Sequence, residues 1–161
     1  MMRRMIFLLL SIFSMTAVQA QQQVTLAECG GDTVTYVKRN FVEGKARFIG
    51  QPFSKLVEEW RTQIPVGWIL FSNTGNWPTK DEDKYLVTGA TLYFITEEEK
   101  NLRVMQRKMY ATIHASFAPP YRHNFYDLCR IEEEDSLPLG PKLYECLKDY
   151  IVTDVSFLNA L

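Results

Sequence analysis

The sequence predicts an α+β domain: an antiparallel sheet of about four strands with helices packed on one face. Three observations carry that expectation. Two stretches with apolar residues at helical spacing come first, three runs rich in β-branched and aromatic residues follow, and a last helical stretch precedes one more strand-like segment. Of 161 residues, 47% are hydrophobic and 23% charged, which excludes a disordered or collagen-like chain. The 18 Lys and Arg against 19 Asp and Glu lack the basic excess of an electrostatic nucleic-acid binder, so no nucleic-acid partner is expected.

The chain opens with Arg3 and Arg4, an apolar run from Met5 to Phe13, and small or polar residues ending in Val18-Gln19-Ala20. That is the layout of a signal peptide over residues 1–20, with small side chains where the peptidase needs them and cleavage before Gln21. The apolar run is far shorter than the ~20 residues that cross a bilayer, so no membrane span is expected after cleavage. Cys29 stands too far beyond that run, behind Glu28, to serve for lipid attachment. The expected protein is exported, periplasmic and mildly acidic, because cleavage removes two basic residues and no acid.

Residues 21–31 read as a leader whose Val24, Leu26 and Cys29 can tack onto the core, and residues 32–161 as a single domain. From Asp32 or Thr33 as N-cap, the spacing of Val34, Val37, Phe41 and Phe48 predicts a first helix. Pro52 begins a second over 52–63, with Phe53, Leu56, Val57 and Trp60 on one face, and Pro65 stops it.

Val66 to Ser72 is a short apolar run and predicts a buried strand. Tyr85 to Thr96 predicts a second strand with a bulge or bend at Gly89. Glu97 to Asn101 reads as a charged turn. Beyond it, Ala111, Ile113, Ala115 and Phe117 alternate with polar residues as a third strand, extended back through 102–110 in preference to the helical stripe of Leu102, Met105 and Met109. After Pro119-Pro120 the chain reads as irregular until Pro141, where Leu143, Tyr144 and Leu147 mark a helix, and Val152 to Leu158 is the last strand.

The stretch Phe48-Ile49-Gly50-Gln51-Pro52-Phe53-Ser54-Lys55-Leu56 resembles a loose group of small exported bacterial proteins with a signal peptide and a G-x-P-F-S-x-L helix start. The resemblance implies export from a bacterial cell and a helix at Pro52. It brings no activity and no functional residue.

Three cysteines, 29, 129 and 146, allow one bridge and one free thiol, with Cys129–Cys146 the favoured pair, or three buried reduced thiols. No phosphate-binding glycine loop, dinucleotide turn or hydrolase elbow occurs, and no cofactor is expected. His123 and Asp127 have one-turn spacing, but the prolines between His114 and His123 separate the histidines, so no metal site is expected. A second functional reading is a small cell-envelope hydrolase using His123 or His114 with Cys129 or Asp127, and a third is a structural envelope component.

The leading expectation is a non-catalytic protein that binds a protein partner, such as an immunity or inhibitor protein facing a basic toxin or enzyme. Acidic runs at 81–83, 97–99 and 132–135 read as loops forming a negative rim, while Lys38, Arg39, Lys45, Arg47 and Lys55 gather on the first helices. Two long connections, 73–84 and 119–140, carry aromatics and charges of the kinds that anchor and steer interfaces. The candidate binding residues are Trp77, Asp81, Asp83, Tyr121, Arg122, Tyr126, Glu133 and Glu134.

Overall fold

The structure is a computed structural model that describes residues 23–74, 85–106, 110 and 112–158. The expected signal peptide, residues 1–20, lies outside the described residues, as do Trp77, Asp81 and Asp83. The described chain runs α1 (Thr33–Val37), a π-helical turn (Lys38–Glu43), a 3₁₀ turn (Lys45–Arg47), α2 (Phe53–Arg61), β1 (Trp68–Asn73), β2 (Val87–Tyr93), α3 (Glu97–Met105), β3 (Thr112–Phe117), α4 (Phe125–Asp135), α5 (Pro141–Leu147) and β4 (Val152–Phe157). The four strands form an antiparallel sheet in the order β1-β2-β3-β4, the α+β architecture that the sequence predicts.

The period-two alternation sets which residues face the helices. Cross-strand rows Ile69–Leu92–Ile113–Phe157 and Phe71–Ala90–Ala115–Val155 pack on Phe41, Phe48, Phe53, Trp60, Leu128, Leu143 and Leu147 from the helical segments. The other face carries Leu70–Thr91–His114–Ser156 and Ser72–Gly89–Ser116–Asp154. At one end of that second face lies α3, whose Lys100 ammonium sits 4.1 Å from the centre of the Trp68 ring.

Asp32 caps α1, its carboxylate accepting from Val34 N–H at 3.0 Å. The π turn after α1 carries Asn40 into the interior, where its amide accepts from Val24 N–H at 3.0 Å and donates to Val24 O at 2.8 Å. That clamp and the packing of Leu26 and Cys29 tie the leader down as the sequence predicts. The first two N–H groups of α2 do not go unmet: Phe53 donates to Tyr150 O and Ser54 to Lys148 O, which fixes α2 against the entry to β4.

Several expectations are corrected. Glu97 to Asn101 is no turn, and 102–105 is no strand, because Thr96 caps a helix there: its hydroxyl accepts from Glu99 N–H at 3.2 Å. Three glutamates in the first turn favour the positive end of the helix dipole, and Glu99 also holds Arg103 one turn on. The segment after Pro120 is not irregular either, since Asn124 caps α4 by accepting from Tyr126 N–H at 2.9 Å. Two of the three acidic runs therefore lie on helices. The break in register expected at Gly89 is present: Ser72 pairs with Gly89 and Asn73 with Val87, so Thr88, next to Gly89, is the extra residue of a bulge in β2. The expected Cys129–Cys146 bridge is absent: all three cysteines are free, and those two lie on different helices, each half-buried against the core as a small apolar group.

Candidate functional site

Helical geometry decides which residues of the segment 121–135 meet solvent. Leu128 is fully buried and Phe125, Cys129 and Ile131 pack partly against the core, so Tyr126, Arg130, Glu133 and Glu134 point outward. Tyr126 is 57% exposed, with its ring edge-on to Tyr85 and Phe125. At 1.5 Å per residue, Tyr126 and Glu134 stand about 12 Å apart along the axis. Three of the predicted binding residues thus share one outer helix face.

The remaining described candidates flank it. Arg122 is exposed at the approach to α4, with its guanidinium 6.0 Å from the Tyr150 ring centre. Tyr121 instead folds back against the core. The Tyr150 hydroxyl braces this approach, accepting from the N–H groups of Arg122 at 2.8 Å and His123 at 3.1 Å.

The four acids 132–135 separate by role. Glu132 turns inward, and burial, with Glu97 and Glu133 adding repulsion, pushes its carboxyl up to about 7. Asp135 accepts from Leu143 N–H at 2.9 Å and so caps the start of α5. Glu134 pairs with Lys142 at 3.1 Å. Glu133 is exposed and has no ion-pair partner among the described residues. All four stand at the end of α4 where the dipole is negative, and no basic residue sits in that last turn. Acids there cost helix stability, by about 0.3–1 kcal/mol for an exposed charge. Departures from a local rule of this kind concentrate at functional sites.

The expected basic patch is partly neutralised. Lys45 meets Asp154 at 2.7 Å and Arg47 meets Glu59 at 2.9 Å, while Lys38 lies 4.9 Å from the centre of the Phe157 ring. The partners come from α2 and β4, beyond the window in which the sequence shows only Glu43 opposing these cations.

Of the residues of the hydrolase reading, Asp127 acts on His123 through its charge but pairs with Arg130 at 3.0 Å, and among the described residues no hydrogen bond joins either histidine to Cys129 or Asp127. His114 Nδ1 lies 3.0 Å from Thr91 Oγ1, but Thr91 is only 5% exposed and offers a substrate no approach. His123 Nδ1 lies 3.2 Å from the Tyr150 hydroxyl. Burial and the neighbouring Glu132 and Glu133 push the Cys129 thiol up, the opposite of what a nucleophilic thiolate needs. Among the described residues no three His, Cys, Asp or Glu side chains converge as a metal-binding group.

Sequence reasoning missed a second feature beside α4. Leu137, Pro138, Pro141, Tyr144, Val66 and Arg61 line a cleft of about 400 Å³ where α4 turns into α5. The signal was the run Leu137-Pro138-Leu139-Gly140-Pro141, whose prolines and glycine interrupt helix and leave apolar side chains on a connection. Comparison with known proteins finds no family model, no curated protein and no solved structure that matches this chain.

Proposed function

We propose that the protein is an exported, non-catalytic binding protein of the bacterial periplasm, of the immunity or inhibitor kind, that engages a basic protein through the outer face of α4. The observation that carries this reading is the placement of Tyr126, Glu133 and Glu134 on one solvent-facing stripe, with acids kept against the helix dipole. An exposed aromatic supplies contact area with a polar tip, and exposed carboxylates raise the encounter rate with a basic surface. Export rests on the signal-peptide layout of residues 1–20.

The test is capture of partners by the chain from cell-envelope extracts and from proteins secreted by neighbouring cells, alongside the double variant E133K/E134K. A basic protein retained at stoichiometric amounts by the parent, weakened by added salt and lost from the variant, is the expected result. Equal retention by both, with no salt dependence, refutes the assignment of this face.

A further inference from the structure

We propose that the cleft at the C-terminal end of α4 receives one large apolar side chain of the protein partner, flanked in that partner by Lys or Arg. This rests on the α4 reading and adds the chemistry of the anchor. At about 400 Å³ the cleft is at the small end of ligand pockets, suited to an anchoring side chain rather than a cofactor. Its wall is apolar: Val66, Leu137, Pro138, Pro141 and the Tyr144 ring. Leu137 stands at it 61% exposed, a large apolar group left in water by the isolated chain.

The backbone holds this wall in place at a cost. Ser136 and Leu139, on either side of Leu137-Pro138, have φ of 54° and 51°, the left-handed region that a side chain disfavours. Arg61 Nη2 donates to Leu139 O at 2.6 Å, Gly140 N–H to Leu137 O at 3.1 Å, and the Asp135 carboxylate caps α5 just beyond. Backbone strain that is over-determined in this way belongs with preformed binding surfaces.

Charge selects the occupant. Arg61, the cation in the lining, is tied to Leu139 O and stacks 5.4 Å from the centre of the Tyr144 ring. Carboxylates accompany it: Glu58 accepts from the Tyr144 hydroxyl at 3.1 Å, Glu134 reaches Lys142 beside Pro141, and Glu133 is exposed in the last turn of α4, which leads into the cleft. An apolar side chain with basic neighbours meets both the floor and the rim. A second copy of this acidic chain would set acidic rim against acidic rim.

The test is methyl-resolved NMR of the full chain titrated with three peptides: acetyl-Lys-Lys-Trp-Lys-Lys-amide, the same with Ala for Trp, and the same with Glu for every Lys. The first is expected to shift the Leu137 and Leu139 methyls and to bind about tenfold more tightly than either control, a difference that L137A and Y144A abolish. Equal binding of the Trp and Ala peptides, shifts elsewhere, or no binding overturns the proposal. So do the same methyl shifts on concentrating the chain alone, which would make a second copy the occupant. If both lysine peptides bind alike and E133K/E134K weakens both, the α4 reading survives without the cleft. If E133K/E134K changes neither peptide binding nor partner capture, the α4 reading falls too.

Discussion

Thr91 and His114 stand opposite one another on β2 and β3, and the Thr91 hydroxyl oxygen lies 3.0 Å from His114 Nδ1 on the sheet face turned away from the main core. The ring crosses Gly89: a Cβ there would come within 2.8 Å of His114 Cε1 and Nε2 and 2.6 Å of Ala115 O. Gly89 is thus required for close approach. A central-strand position that β propensity would give to a branched residue is kept bare so that an imidazole can lie across it.

The first prediction follows from that contact. Gly89→Ala forces either the imidazole or the β3 backbone to move, so it lowers stability by about 1–3 kcal/mol in chemical denaturation. The His114 ring resonances shift with it. An unchanged midpoint and unchanged ring shifts would remove the packing role assigned to Gly89.

Burial pushes the His114 pKa down, and the nearby Asp154 pulls it back up without reversing the direction. A depressed histidine is neutral in the fold and binds its proton more readily when unfolded. Its contribution to stability is therefore present above the ordinary value of 6.5 and lost as pH falls through the lower folded value. NMR titration of His114 is expected to show a midpoint below that of the unfolded chain, and His114→Gln to flatten this part of the stability profile.

Glu132 has the opposite sign. Its carboxyl is raised from 4.5 to about 7, so the folded chain holds the proton that the unfolded chain releases. That contribution is full below 4.5 and disappears as pH rises through 7. A shift of this size is worth about 3 kcal/mol at full strength, and partial solvent screening reduces it to about 1 kcal/mol. Glu132→Gln is expected to stabilise the protein at pH 8 by about that amount and to change little at pH 4. A variant whose gain is the same at both pH values would refute the raised carboxyl.

How much of this was legible in the sequence differs from element to element, for physical reasons. The helix at Pro52 and all four strands were legible, because burial of one face imposes its period on the residues, and Pro65, the Asn73 cluster and Pro119-Pro120 mark the ends of the first and third strands. Glu97–Glu99 looked like a solvated turn because charge alone does not separate a turn from a first helical turn; Thr96 followed by Glu99 was the signal that does. Helix α4 was hidden by Phe125, Tyr126, Asp127 and Cys129, poor helix formers, and by acids at its unfavourable end. The aromatics and acids of the site were therefore read as loop residues. Their chemistry was visible before their common helix face was, since that face depends on Leu128 being drawn into the core.

The cysteines give a count. All three are free, and the thiols of Cys129 and Cys146 are pushed up by burial and then by nearby carboxylates. Little thiolate is present at neutral pH, so alkylation of these two by iodoacetamide at pH 7 is expected to be slower than that of a free cysteine model. Unfolded without reductant, the chain is expected to release all three thiols to a disulfide reagent. A count of one would restore a bridge, and peptide mapping would then show whether it joins Cys129 to Cys146.

The junction of α4 and α5 sets two neighbouring substitutions against each other. Asp135 caps α5 through its carboxylate, so Asp135→Ala leaves the Leu143 N–H without that acceptor and is expected to lower stability by about 1 kcal/mol. Ser136, next to it, closes α4 at φ 54° and its own side chain has no hydrogen bond among the described residues. Glycine adopts that conformation without the steric penalty of a Cβ, so Ser136→Gly is expected to raise stability by about 1 kcal/mol. Thermal or urea unfolding of the two variants tests the junction directly, since a generic loop would respond weakly to both. Leu139, also left-handed at φ 51°, is not an equivalent probe: it is 1% exposed, and glycine there would remove a core side chain along with the strain. Opposite signs at 135 and 136 are what a capped, strained turn requires; two losses, or two neutral results, would refute it.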